Sequence, residues 1–163
     1  MNYSEVIVSQ YLAALEMLKG AIDECPGPIW NDPGDKTKFW QIAYHALFYT
    51  HLYLQDSEEA FTPWSKHRQG THSLGQVPSA PDIGKPYDKD TVLEYLDFCQ
   101  QQVAKRVPQL NLEAGSGFEW LPFGKLELQF YTIRHIQQHT GELMERLGTR
   151  ANLELPWVGM GPG

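Results

Sequence analysis

Apolar residues recur at helical spacing along four stretches of the chain. In the first, residues 4–25, Ile7, Tyr11, Ala14, Leu18 and Ile22 fall on one stripe at i, i+4, i+7 spacing. Ser4 is the expected N-cap, and the Pro26-Gly27-Pro28 run stops the helix. The second, residues 36–55, follows the breaker NDPGD, in which Asp35 is placed to cap. Its apolar positions, Phe39, Trp40, Ile42, Ala43, Leu47, Phe48, Leu52 and Leu54, run nearly all round, so this helix belongs at the centre of the domain. The third, residues 89–107, lies between Asp88 and Pro108 and turns Val92, Leu96, Cys99, Val103 and Val107 inward. The fourth, residues 126–147, points Phe130, Ile133, Ile136, Leu143 and Leu147 at the other helices, with a left-handed cap expected at Gly148. Neither strand alternation bounded by hairpin turns nor a repeat of domain scale is present.

The connections constrain how four such helices join. Residues 26–35 and 108–124 are short links, whereas residues 56–87 hold Pro63, Pro78, Pro81, Pro86, Gly70, Gly75 and Gly84. A helix of about 20 residues is roughly 30 Å long. Only the middle segment comfortably returns that length, so the second and third helices are expected to run parallel. The expected fold is all-α: a four-helix bundle over residues 1–150, up-down-down-up, followed by a C-terminal tail at 151–163. A connection as long as 56–87 is also a place to look for a pocket wall, as is the turn Trp120-Leu121-Pro122-Phe123.

Composition narrows the function classes. With 42% apolar residues in 163, one domain can bury a real core. Thirteen basic against 20 acidic residues give a formal charge of −7, which disfavours nucleic acid and anionic membranes as partners. Cys25 and Cys99 cannot form a disulfide framework, and Cys99 reads as a small core hydrophobe. The N-terminus MNYSEVIVSQ lacks the basic region of a signal peptide, and the uncharged run 39–55 is broken by Gln41, His45, Thr50 and His51. A cytoplasmic protein is the expectation.

Six histidines carry the candidate chemistry. His135 and His139 stand at i, i+4, about 40° apart around a helix, so both imidazoles leave one face a turn apart. That geometry suits two ligands of one ion. His45, midway along the second helix, is the candidate third ligand, and three neutral imidazoles would leave coordination positions open. The competing reading makes His45 a core histidine bonded to a neighbouring hydroxyl, and the sequence leaves both open. His51 is about 240° from His45 on the helix wheel and cannot share its ion. His67 and His72, in KHRQGTH, are expected to be solvated loop residues. Glu142 shares the face of His135, together with Tyr131. It can orient a histidine or take a proton, but pairing with Arg146 at i+4 is the favoured expectation. Gln41 and Tyr49 share the His45 side and either bond a ligand or simply pack. HExxH, Glu-x-x-His, GxxxxGK[ST], GxSxG and CxxC are all missing, so zincin, di-iron, P-loop, nucleophile-elbow and zinc-ribbon chemistries are not indicated.

The segments WQIAYHAL and HIQQHTGEL, with one histidine on the second helix, an HxxxH pair on the fourth and Gly141-Glu142-Leu143 after it, resemble the DinB/YfiT-like family of metal-binding four-helix bundles. Helix order, spacing and length are similar over nearly the whole chain. The resemblance implies a mononuclear divalent metal, nickel or zinc, on His45, His135 and His139. It also implies a thiol-dependent transferase or a hydrolase acting on a small-molecule substrate, with a low-molecular-weight thiol as a candidate partner. A homodimer is implied too, with which Trp64, Trp120 and Trp157 agree if they reach the surface. Where the family carries an acid just after the helix-two histidine, this chain has Phe48 and Tyr49. The alternative, from a different class, is a non-catalytic helical interaction module whose metal is structural or absent.

Overall fold

The computed structural model describes residues 2–74 and 84–161. Among them the chain is all-helical: α1 (Tyr3–Glu24), α2 (Gly27–Trp30), α3 (Phe39–Tyr53), α4 (Lys89–Arg106), a 3-10 turn (Val107–Gln109) and α5 (Lys125–Ala151). Helix α1 packs on α5 and α4, and α3 packs on the same two. Residues 75–83 of the long connection, with Gly75, Pro78 and Pro81, and tail residues 162–163 lie outside the described residues.

The apolar stripes of α1 and α4 are buried at every predicted position. Helix α3 is covered nearly all round, as its composition requires. Boundaries differ where polar side chains found other work. The cap of α1 is Asn2, whose side chain accepts from the Ser4 amide. Helix α3 starts at Phe39, with Gln41 reaching back to accept from the Lys38 amide at 3.0 Å. Asp35 instead takes Arg146 and Arg150 of α5. Helix α4 starts after Asp88 as expected, and Asp88 caps it, accepting from the Thr91 amide. Helix α5 runs through Gly148, and the left-handed residue is Asn152 at φ 53°. Phe130, expected to face inward, is 56% exposed. The Pro26-Gly27-Pro28 stop begins a single helical turn, which seats Ile29 and Trp30 in the core; the Trp30 indole donates to the Tyr87 carbonyl at 2.8 Å.

One junction holds the end of α3 to the start of α5. The buried Lys125 ammonium donates to the carbonyls of Gln55 (3.0 Å), Asp56 (3.2 Å) and Ser116. These bonds tie the two residues that follow the α3 C-cap, Leu54, and the 111–124 link to the start of α5. Gly117, at φ 87°, lets the 111–124 link lie against the Asp56 backbone.

His51, on α3, is 4% exposed and bonds the Tyr95 hydroxyl. Burial first, then the positive charge of Arg106, holds its pKa down to about 4. Its ordinary value is about 6.5, so the unfolded chain takes up its proton first. The stability this provides is full above about pH 6.5 and is lost as the pH falls toward 4, with roughly 2 kcal/mol gone by pH 5. Urea unfolding at pH 7 and pH 5 should show that fall, and His51→Gln should reduce the slope. An unchanged slope in the variant would remove His51 as a cause.

Candidate metal centre

His45 projects from α3 and His135 and His139 from α5, and their rings meet. The Nε2 atoms of His45 and His135 are 3.0 Å apart, and those of His139 and His135 are 3.1 Å apart. One ligand atom from each lies within 4.8 Å of the others. The i, i+4 spacing puts the α5 pair on one face, and the α3–α5 packing brings the middle of α3 opposite it. Nitrogens that each stand about 2.0–2.1 Å from a shared ion are themselves roughly 3–3.4 Å apart, so both short spacings fit.

The outer sides of the rings fix which nitrogen is available. His45 Nδ1 donates to the His72 carbonyl at 2.6 Å, and His139 Nδ1 donates to a Glu142 carboxylate oxygen at 2.9 Å. A carbonyl and a carboxylate only accept, so both protons sit on Nδ1 and both Nε2 lone pairs face inward. His135 Nε2 faces the two of them and can carry a proton toward only one. Its own Nδ1 is buried without a partner among the described residues. Three inward nitrogens with too few protons between them form a donor set that suits a cation.

Electrostatics point the same way. Burial, reinforced by His139 and His45, holds the His135 pKa down to about 3. Burial also lowers His45 to about 4, although the bond to His72 opposes the shift. Both rings are therefore neutral near pH 7, the form in which imidazole binds metal.

The surroundings depart from expectation in three places. His67 and His72 are not loose. The Tyr44 hydroxyl and His67 Nδ1 are 2.7 Å apart, and the His72 ring stacks on Phe48 at 4.2 Å. The loop bearing them thus backs the centre, a role that no sequence periodicity marks. Glu142 bonds His139, while Arg146 turns away to Asp35 and the Thr37 carbonyl, so the i+4 pair does not form. Of the residues on the His45 side, Gln41 caps its helix, and Tyr49 packs against His45 and His135 at ring distances of 4.8 and 5.7 Å. Tyr131 packs on Tyr53 and Phe123.

Two cavities adjoin the cluster. One of about 440 Å³ is lined by Tyr131, Arg134, His135, Gln137 and Gln138. Another of about 490 Å³ reaches Glu142, beside Ile42, Glu145 and Arg146. Of the 120–123 turn, expected as a wall, Leu121, Pro122 and Phe123 line a separate groove. Trp64 is buried, whereas Trp120 and Trp157 are exposed. No helix among the described residues is long and apolar enough to cross a membrane. No family model, curated protein or solved structure matches the chain.

Proposed function

We propose that this protein is a metal-dependent enzyme whose single divalent ion, nickel or zinc, is held by His45, His135 and His139. The observation that carries the reading is the convergence of three Nε2 atoms whose partner nitrogens are tied back or orphaned. Such an ion supplies Lewis acidity, stabilising the anion of a thiol or water at neutral pH. The chain's own part is to present three neutral imidazoles, with Glu142 and the His72 carbonyl fixing two ring orientations and Tyr49 covering one side. A small electrophile, met by a low-molecular-weight thiol or by water, is the substrate class, making the enzyme a transferase or a hydrolase.

The same reading takes the helices as a four-helix bundle of the DinB/YfiT-like kind, up-down-down-up. In its support, Tyr11 bonds Gln129 while Met17 meets Gln137, so α1 and α5 ascend together. His45 faces His135 while Tyr53 faces Tyr131, so α3 descends against α5. A cytoplasmic homodimer belongs to this proposal as well.

Elemental analysis of the purified protein should find one nickel or zinc per chain, followed by activity in a screen of thiol-transfer and hydrolytic reactions. Protein that neither carries metal nor takes up nickel or zinc in a titration would exclude the enzyme. Glu142→Ala should weaken metal binding by roughly 10–100-fold while the fold is kept, because partners of a ligating histidine tune it by that much. Unchanged affinity would deny Glu142 that role.

The exposed Tyr3, Val6, Phe130, Trp157 and Met160 favour a second reading, a helical interaction module without catalysis. It predicts no metal stoichiometry and self-association that survives replacement of His45.

A further inference from the structure

A further cavity, of about 390 Å³, lies across α3 from the histidine cluster, since positions 45 and 51 are about 240° apart around the helix. Its walls include His51 of α3, Gln55 and Trp64 of the following segment, and Phe98, Lys105 and Arg106 of α4. We propose that this cavity binds a small aromatic carboxylate, independently of the metal centre.

Two cations, Lys105 and Arg106, stand among neutral polar groups in its lining. The Tyr95 hydroxyl and His51 Nδ1 are 3.2 Å apart and share one hydrogen bond behind the cavity wall. Gln102 Oε1 accepts from Arg106 Nε at 2.9 Å, which orients the guanidinium and leaves its other N–H groups free. Neither Lys105 nor Arg106 is paired with a carboxylate among the described residues, and no acid lines the cavity, although acids outnumber bases in the chain. The two cations also complement the C-terminal end of α4, where positive charge is favourable on a bare surface. That role does not call for a cavity or for aromatic walls. Trp64 is buried and stacked on Tyr95 at 4.5 Å, so the wall it offers is rigid, and the His51 and Phe98 rings meet edge to face at 4.9 Å. A planar apolar body between aromatic side chains with a carboxylate toward Arg106 satisfies both halves of the site.

Benzoate, phenylacetate and indole-3-acetate, titrated into the protein and followed by amide and indole NMR, supply the test. At least one should give saturable shifts at the Trp64 indole and the Gln102 side-chain amide, and benzamide should not. Arg106→Gln should weaken that binding about tenfold or more, as loss of a charge-assisted bond does, with Lys105→Gln as a milder companion. The proposal is overturned if none of the three carboxylates saturates at millimolar concentration. It is equally overturned if the shifts centre on Tyr49 and His135, if inorganic phosphate binds as tightly, or if Arg106→Gln leaves the affinity unchanged.

Discussion

Replacing His135 with alanine should abolish stoichiometric metal uptake while leaving the helical signal intact. Both short nitrogen–nitrogen approaches in the cluster run through His135 Nε2. Without it, two imidazoles remain, each already committed on its far side to His72 or Glu142. The loss in affinity should exceed the roughly 10–100-fold that removing a mere partner of a ligand costs. The fold should tolerate the change, since His135 is only half-buried and its Nδ1 contributes no hydrogen bond among the described residues. A nickel or zinc titration read beside circular dichroism separates the two effects. Uptake by the variant at the parent stoichiometry would mean that the three rings are not one ligand set.

Gly117→Ala should be strongly destabilising, with the closest clash among the described glycines, and it lies away from the candidate site. At φ 87° an alanine is strained, and its Cβ would lie 1.8 Å from the Asp56 carbonyl oxygen and 2.8 Å from the carbonyl carbon. The obstacle is backbone, so no side chain can swing aside. The left-handed conformation alone costs about 1–2 kcal/mol, and displacing the link would loosen the Lys125 junction beside it. A total of roughly 3–5 kcal/mol compares with about 5–15 kcal/mol for a whole domain, so melting should fall by roughly 10 °C or more. Gly20→Ala is the control. A methyl group added there, on α1, would meet nothing within 4 Å, and it should stabilise by about 0.5–1 kcal/mol. If the two alanines melt alike, the contact with Asp56 is not a constraint.

The sequence displays its buried stripes because helical packing is periodic. Ile7 through Ile22 and Val92 through Val107 need only a period to be found, and every one is buried. The HxxxH spacing on α5 is legible for the same reason. What escapes the period is polar choice. Asp35 had an equally good local use as a cap, and only the distant Arg146 and Arg150 decided otherwise. That decision also released Glu142 to His139, reversing the i+4 pairing that local spacing favours. The KHRQGTH segment gives no sign that it backs His45, because its bond there is made by a carbonyl that every residue possesses. Phe130 shows the converse, an apolar residue at a plausible inner position that the actual packing leaves outside.

That main-chain hold on His45 makes the two anchored ligands differ in their tolerance of genetic change. Codon changes at position 72 can alter ring stacking on Phe48, yet leave the oxygen that steadies His45 in place as long as the loop keeps its path. At position 142, by contrast, most replacements delete the acceptor itself. Saturation libraries at the two positions should therefore be unequal, permissive at 72 and restrictive at 142.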